Sequence, residues 1–286
     1  MVTARATALP HPLADASGSG RVTASASLAD NWQENRPLWR AVWGARADDP
    51  AVVASSVRQT LDALERLGGV FAGPWSVVDG GPVPPGRDEL TELVTASRER
   101  DDRGAIVSAR GHRMQFVTLG IDSADEPFAQ LSLSTASTVV DPRRPRNSVT
   151  LRVEARGAGG RVYGPLADVA ADVSLLLARV WHPDVVELLD SALVDAHVDL
   201  LHRPGSWPRI GPVTYLSARA YPAARELSRL SVASTTVEEN GTLIVVGTPG
   251  ASSATFADCL TTSREVEAGG ALGPVPAECS RATQGG

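Results

Sequence analysis

The chain has 286 residues, a net charge of −6, and 27 basic residues that are all arginine. A hydrophobic share of 43% supports a real core, and the length fits one large domain or two ordinary ones. The acidic balance argues against a protein whose main task is gripping nucleic-acid phosphates, and the lack of lysine excludes a lysine nucleophile, Schiff base or phosphate-loop lysine. Cys259 and Cys279 are too few for a disulfide framework. No apolar run is long enough to span a bilayer, and no hydrophobic leader follows the first arginines, so the expectation is a cytoplasmic protein without membrane contact.

Residues 1–35 are rich in Ala, Ser, Thr and Gly without sustained periodicity and read as a disordered tail. Leu38 to Trp43 reads as a buried strand, with Arg40 as its only charge. A helix follows, with Asp49 as N-cap, Pro50 in the first position and Gly68-Gly69 beyond the far end. Val53, Val57, Leu61 and Leu64 form its inward stripe. Phe71 to Val78 suits a short strand anchored by Trp75, and Arg87 to Ser97 a short helix with acidic residues in its first turns.

Met114 to Ile121, Phe128 to Thr135 and Ser148 to Glu154 read as strands, and the last two alternate apolar and polar residues, as antiparallel strands with one wet face do. Between them lies a basic loop with Arg143, Arg144 and Arg146, which reads as solvated. Leu166 to Val180 reads as one helix, with Leu166, Val169, Val173, Leu176, Leu177 and Val180 facing inward. Val185 to Leu189 and Ile210 to Ser217 read as strands, and Leu230 to Glu238 with Thr242 to Val246 as a hairpin turning at Asn240-Gly241. Thr255 to Glu267 reads as a closing helix, and residues 269–286 as a second disordered tail. These elements predict a single α+β domain over residues 36–268, with a largely antiparallel or mixed sheet and helices mainly on one face.

Catalytic signals are weak. GAGGRVYG at Gly157 to Gly164 lies between a strand and a helix, as a dinucleotide loop would, but the preceding strand alternates and Val162 stands where the third glycine belongs. A nucleotide-binding or enzymatic role for that loop is the alternative reading. The histidines lack metal-ligand spacing, so no metal and no cofactor are expected. The segment from Asp184 to Asp199 holds Asp184, Glu187, Asp190, Asp195 and Asp199 without a basic residue. It is a candidate docking face for a basic partner, with Trp75, Trp181 and Trp207 as candidate aromatic anchors.

Trp43-Gly44 before a long helix, Trp75, Asn147-Ser148-Val149, Trp181-x-Pro-Asp184, Thr214-Tyr215-Leu216 and Gly241-Thr242-Leu243-Ile244-Val245 together resemble the immunity protein 52 family. The resemblance covers roughly residues 38–268 and departs from the family around Asp79 to Gly86, which is Gly- and Pro-rich here. It implies an α+β bacterial protein that binds and blocks a cognate polymorphic toxin, often a nuclease of restriction-endonuclease type. It implies no catalytic residues and no direct contact with nucleic acid.

Overall fold

A computed structural model describes residues 32, 36–118, 127–143, 145–154, 163–203, 205–227, 229–247 and 251–279. Among these residues nine strands form one sheet: β1 (Leu38–Trp43), β2 (Trp75–Val77), β3 (His112–Thr118), β4 (Phe128–Thr135), β5 (Asn147–Glu154), β6 (Val185–Leu189), β7 (Val213–Ser217), β8 (Ala233–Glu238) and β9 (Gly241–Val246). Their spatial order is β2-β3-β4-β5-β1-β6-β7-β9-β8, and every neighbouring pair is antiparallel. The first strand in sequence therefore sits mid-sheet and joins two halves, one a meander and one built from later strands. That position explains its composition: Trp39, Ala41, Val42 and Trp43 are all buried.

The helices are α1 (Pro50–Leu67), α2 (Arg87–Ala96), α3 (Tyr163–Asp168), α4 (Ala170–Trp181), α5 (Ser191–Asp199) and α6 (Phe256–Ala268). Helix α4 packs on β1, β6 and β7 and against α1, while α1 also packs on α2. Tryptophans tie this layer to the sheet. Trp39 Nε1 donates to Ala170 O at 3.3 Å, and Trp181 Nε1 donates to Thr60 Oγ1 at 2.9 Å. Trp43 and Trp181 stack with ring centroids 6.1 Å apart. As expected, Asp49 caps α1 by accepting from Ala51 N, and Gly68 ends it at φ 75°.

The two faces of the sheet differ from one half to the other. In β4 and β5, one set of alternate residues is buried while Ser132, Ser134, Ser148 and Thr150 remain partly open. In β6 and β7 every residue is buried, so both faces of that half are covered. The additional cover includes the loop around Arg209, whose backbone N–H donates to Glu187, and Val275 N–H bonded to Ser206 O.

Several expectations change. The helix read over Leu166 to Val180 is two helices, because Val169 sits at φ −97°, ψ 3°, outside the helical basin. Its deepest residues are Ala170, Val173, Ser174 and Leu177, whereas Leu176 is only half-buried. The hairpin turns one residue early: Gly241 pairs with Glu238, leaving Glu239-Asn240 as the two-residue loop. Gly241 is needed for packing, since a Cβ there would run into Leu216 O and the Tyr215 ring. Residues 269–279 do not form a loose tail: Ala271, Val275 and Cys279 are buried, and Cys279 N–H donates to Ala45 O at 2.9 Å. Within the stretch read as the first tail, Trp32 is buried in the same core. The Gly157–Gly164 loop lies almost wholly outside the described residues.

Candidate binding groove

The acidic segment splits into internal and surface carboxylates. Asp184 is fully buried; its Oδ2 accepts from Gly44 N at 3.2 Å, and its Oδ1 pairs with Arg219. Burial pushes its carboxyl up, against the pull of the Arg219 charge. Glu187 is also fully buried, taking Arg40 Nη2 at 2.9 Å and Arg209 N at 2.6 Å. Asp190 is the N-cap of α5, accepting from Leu193 N at 2.8 Å, and burial raises its carboxyl to about 6. These three carboxylates hold the fold together and are not available to a partner. Only Asp195 and Asp199 face solvent, on α5 and beside the exposed Val198 and Leu200. Trp75 and Trp181 are buried, so neither can anchor a partner; Trp207 is half-buried.

Residues that carry the family resemblance meet at the end of β1. Asn147 Nδ2 donates to Gly44 O at 2.7 Å and to Ser137 O at 3.0 Å, while Gly44 N donates to Asp184. A Cβ on Gly44 would collide with the backbone of Pro276 and Ala277, which explains the glycine after Trp43. Arg46 lies over the Trp43 ring, 4.7 Å from its centroid, and donates to Trp181 O at 3.1 Å. Trp43-Gly44, Asn147 and Trp181-x-Pro-Asp184 are thus one buried junction joining β1, β5 and β6.

Two large concavities flank this junction. One, of about 910 Å³, lies between the end of α4 and β7, beside the Glu239-Asn240 turn, and is lined by His182, Tyr215, Arg179, Arg219 and Arg225. Its cations are engaged within the chain: Arg219 by Asp184, Arg179 by Glu238, and Arg225 by the Glu238 and Glu239 carbonyls. Tyr215 is pushed up to about 12, first by burial, and serves as a neutral wall.

The other concavity, of about 740 Å³, lies on the open face of β3, β4, β5 and β1. Its floor is a polar ladder set by register: Gln115, Ser132, Thr150 and Arg40 in one row, with Arg113, Ser134 and Ser148 in the next. Among the described residues six arginines line it, Arg40, Arg110, Arg113, Arg143, Arg146 and Arg209, with Glu99 as the lining carboxylate and Glu187 and Asp141 pairing Arg40 and Arg146 from its edge. In a protein of net charge −6 this concentrates positive charge in one place. The sequence held a partial signal in polar alternation and the 143–146 loop, but Arg40, Arg113 and Arg209 are too far apart in the chain to suggest a cluster. Among the described residues, no group of three His, Cys, Asp or Glu is placed to hold a metal ion, and no helix is long and apolar enough to cross a membrane.

No family model matches the chain, and no curated protein matches it. Among solved structures, the Pseudomonas aeruginosa T6SS protein PA0821 is similar over 81% of this chain and 76% of its own, with a TM-score of 0.46 and 14% identity. At that score the likeness adds nothing to the reading of the site.

Proposed function

We propose that the protein is a toxin-neutralising immunity protein that acts by binding and occluding a cognate polymorphic toxin. The observation that carries this reading is the junction at the end of β1. Trp43-Gly44, Asn147 and Trp181-x-Pro-Asp184 are scattered over more than a hundred positions, yet they pack as one unit. Their order and spacing therefore follow a common structural demand, which supports treating the resemblance as a whole. The toxin class that the resemblance implies is a nuclease of restriction-endonuclease type. A basic nuclease cleft would be drawn to the protein's net charge of −6, with Asp195 and Asp199 the members of the acidic segment free to meet it.

Co-expression tests this directly. Induction of the toxin encoded beside this chain's gene should arrest growth, and this chain should restore it and co-purify with the toxin. Toxicity that persists at full expression of a folded chain would overturn the reading. Within that complex, Asp195→Arg with Asp199→Arg should slow association about tenfold at low salt and leave dissociation nearly unchanged; stopped-flow kinetics reads both rates. Unchanged association would remove α5 from the docking face.

A further inference from the structure

We propose that the arginine groove on the open sheet face is a receptor site for an acidic peptide segment of a protein partner, seating one carboxylate on Arg209 and others along Arg113 and Arg143. This goes beyond the toxin reading and can be tested without a toxin.

The argument starts at Arg209. It is 6% exposed and lines the groove, yet its guanidinium forms no hydrogen bond or ion pair with the described residues, and its Nε is enclosed without a partner. Among the described residues the carboxylate beside it is Glu187, which is occupied by the Arg40 guanidinium and by the Arg209 backbone N–H. Arg40 and Arg209 thus bring two positive charges to one negative charge, leaving a largely desolvated cation only partly compensated. Such a charge is costly in a folded chain unless an anion completes it. Burial pushes the Arg209 guanidinium down, the Glu187 charge pulls it back up, and the nearby Arg40 charge offsets part of that pull.

The rest of the groove extends the site. Arg110 and Arg146 already have carboxylates at 3.6 and 3.1 Å, but Arg113 and Arg143 form no ion pair with the described residues. Both are exposed and free to turn toward a ligand. The floor supplies hydroxyl and amide groups at strand spacing, which suits the polar backbone and side chains of an extended peptide. Among the described residues no aromatic side chain lines the groove, so unstacked bases would find no ring there to stack on, and this favours a carboxylate-bearing peptide over single-stranded nucleic acid. Arginine is the side chain suited to two-pronged recognition of a carboxylate.

The test uses the full chain and a fluorescein-labelled decaglutamate, read by fluorescence anisotropy at about 50 mM and about 300 mM salt. Wild-type protein should bind saturably and more weakly at the higher salt. Arg113→Ala with Arg143→Ala, which alters only exposed side chains, should weaken binding about tenfold. Arg209→Met should weaken it more than about thirtyfold without lowering the melting temperature, because it removes a buried charge that shares its one carboxylate with Arg40, which Glu187 keeps. If Arg209→Met fails to fold, the double variant decides. The proposal falls if wild type shows no saturable binding, if the double variant binds decaglutamate as wild type does, or if oligothymidine of equal length binds more tightly.

Discussion

Asp190→Asn should make the protein more stable at neutral pH and leave it unchanged in mild acid. In the fold Asp190 caps α5, accepting from Leu193 N at 2.8 Å, and is 1% exposed. Burial lifts its carboxyl from 3.8 to about 6, so between those values the folded chain holds a proton that the unfolded chain has released. Stability from this group is therefore full below about pH 3.8 and falls as pH rises through about 6. At about 1.4 kcal/mol per pKa unit, the loss approaches 3 kcal/mol at neutral pH. Asparagine has the shape of the protonated acid and is an equally good N-cap, so it keeps the capping bond and removes the ionisation. Urea denaturation followed by tryptophan fluorescence, from about pH 4 to about pH 7, measures the difference. The two stability curves should meet near pH 4 and part by about 3 kcal/mol at pH 7. Parallel curves across that range would refute the assignment of a buried, proton-holding carboxyl.

Three further outcomes follow from burial and close approach. His197 on α5 is fully buried, bonds Ile210 O through Nε2 at 3.1 Å, and is lowered to about 4. Acidification from 6.5 toward 4 therefore protonates the unfolded chain first; in His197→Gln this loss of about 3 kcal/mol should vanish from acid denaturation curves. Leu177→Ala should cost about 3 kcal/mol and Leu176→Ala less than about 1.5, since only Leu177 is fully enclosed; equal losses in urea melts would refute the helix orientation. Gly44→Ala should cost about 2 kcal/mol or more, because the added methyl meets the backbone of Pro276 and Ala277. A near-wild-type melting temperature would show that the C-terminal segment does not press on β1.

Local patterns carried much of the architecture. The caps of α1, the alternation of β4 and β5, and the dense apolar run of β1 each depend on neighbours within one or two turns of chain, and each is present as read. So is the α+β class with an antiparallel sheet. What could not be read locally was how many faces of a strand are covered. Val185 to Leu189 is a strand in both views, but only the cover laid by distant segments makes Glu187 an interior anchor for Arg40. The same long-range packing enclosed Asp184, Asp190, Trp75 and Trp181, which sequence reasoning had placed at a surface.

Sequence alone determined most of the elements, their class and much of the core, because periodicity and capping act over a few residues. Tertiary structure alone decided which charges meet. Arg40, Arg113 and Arg209 come from three separated stretches and share one groove because the sheet order β3-β4-β5-β1 and the 203–211 loop bring them together. A charge has no address until both its neighbours across the sheet and the cover over them are set. That is why distant arginines form one face while only Asp195 and Asp199 of the acidic segment reach solvent.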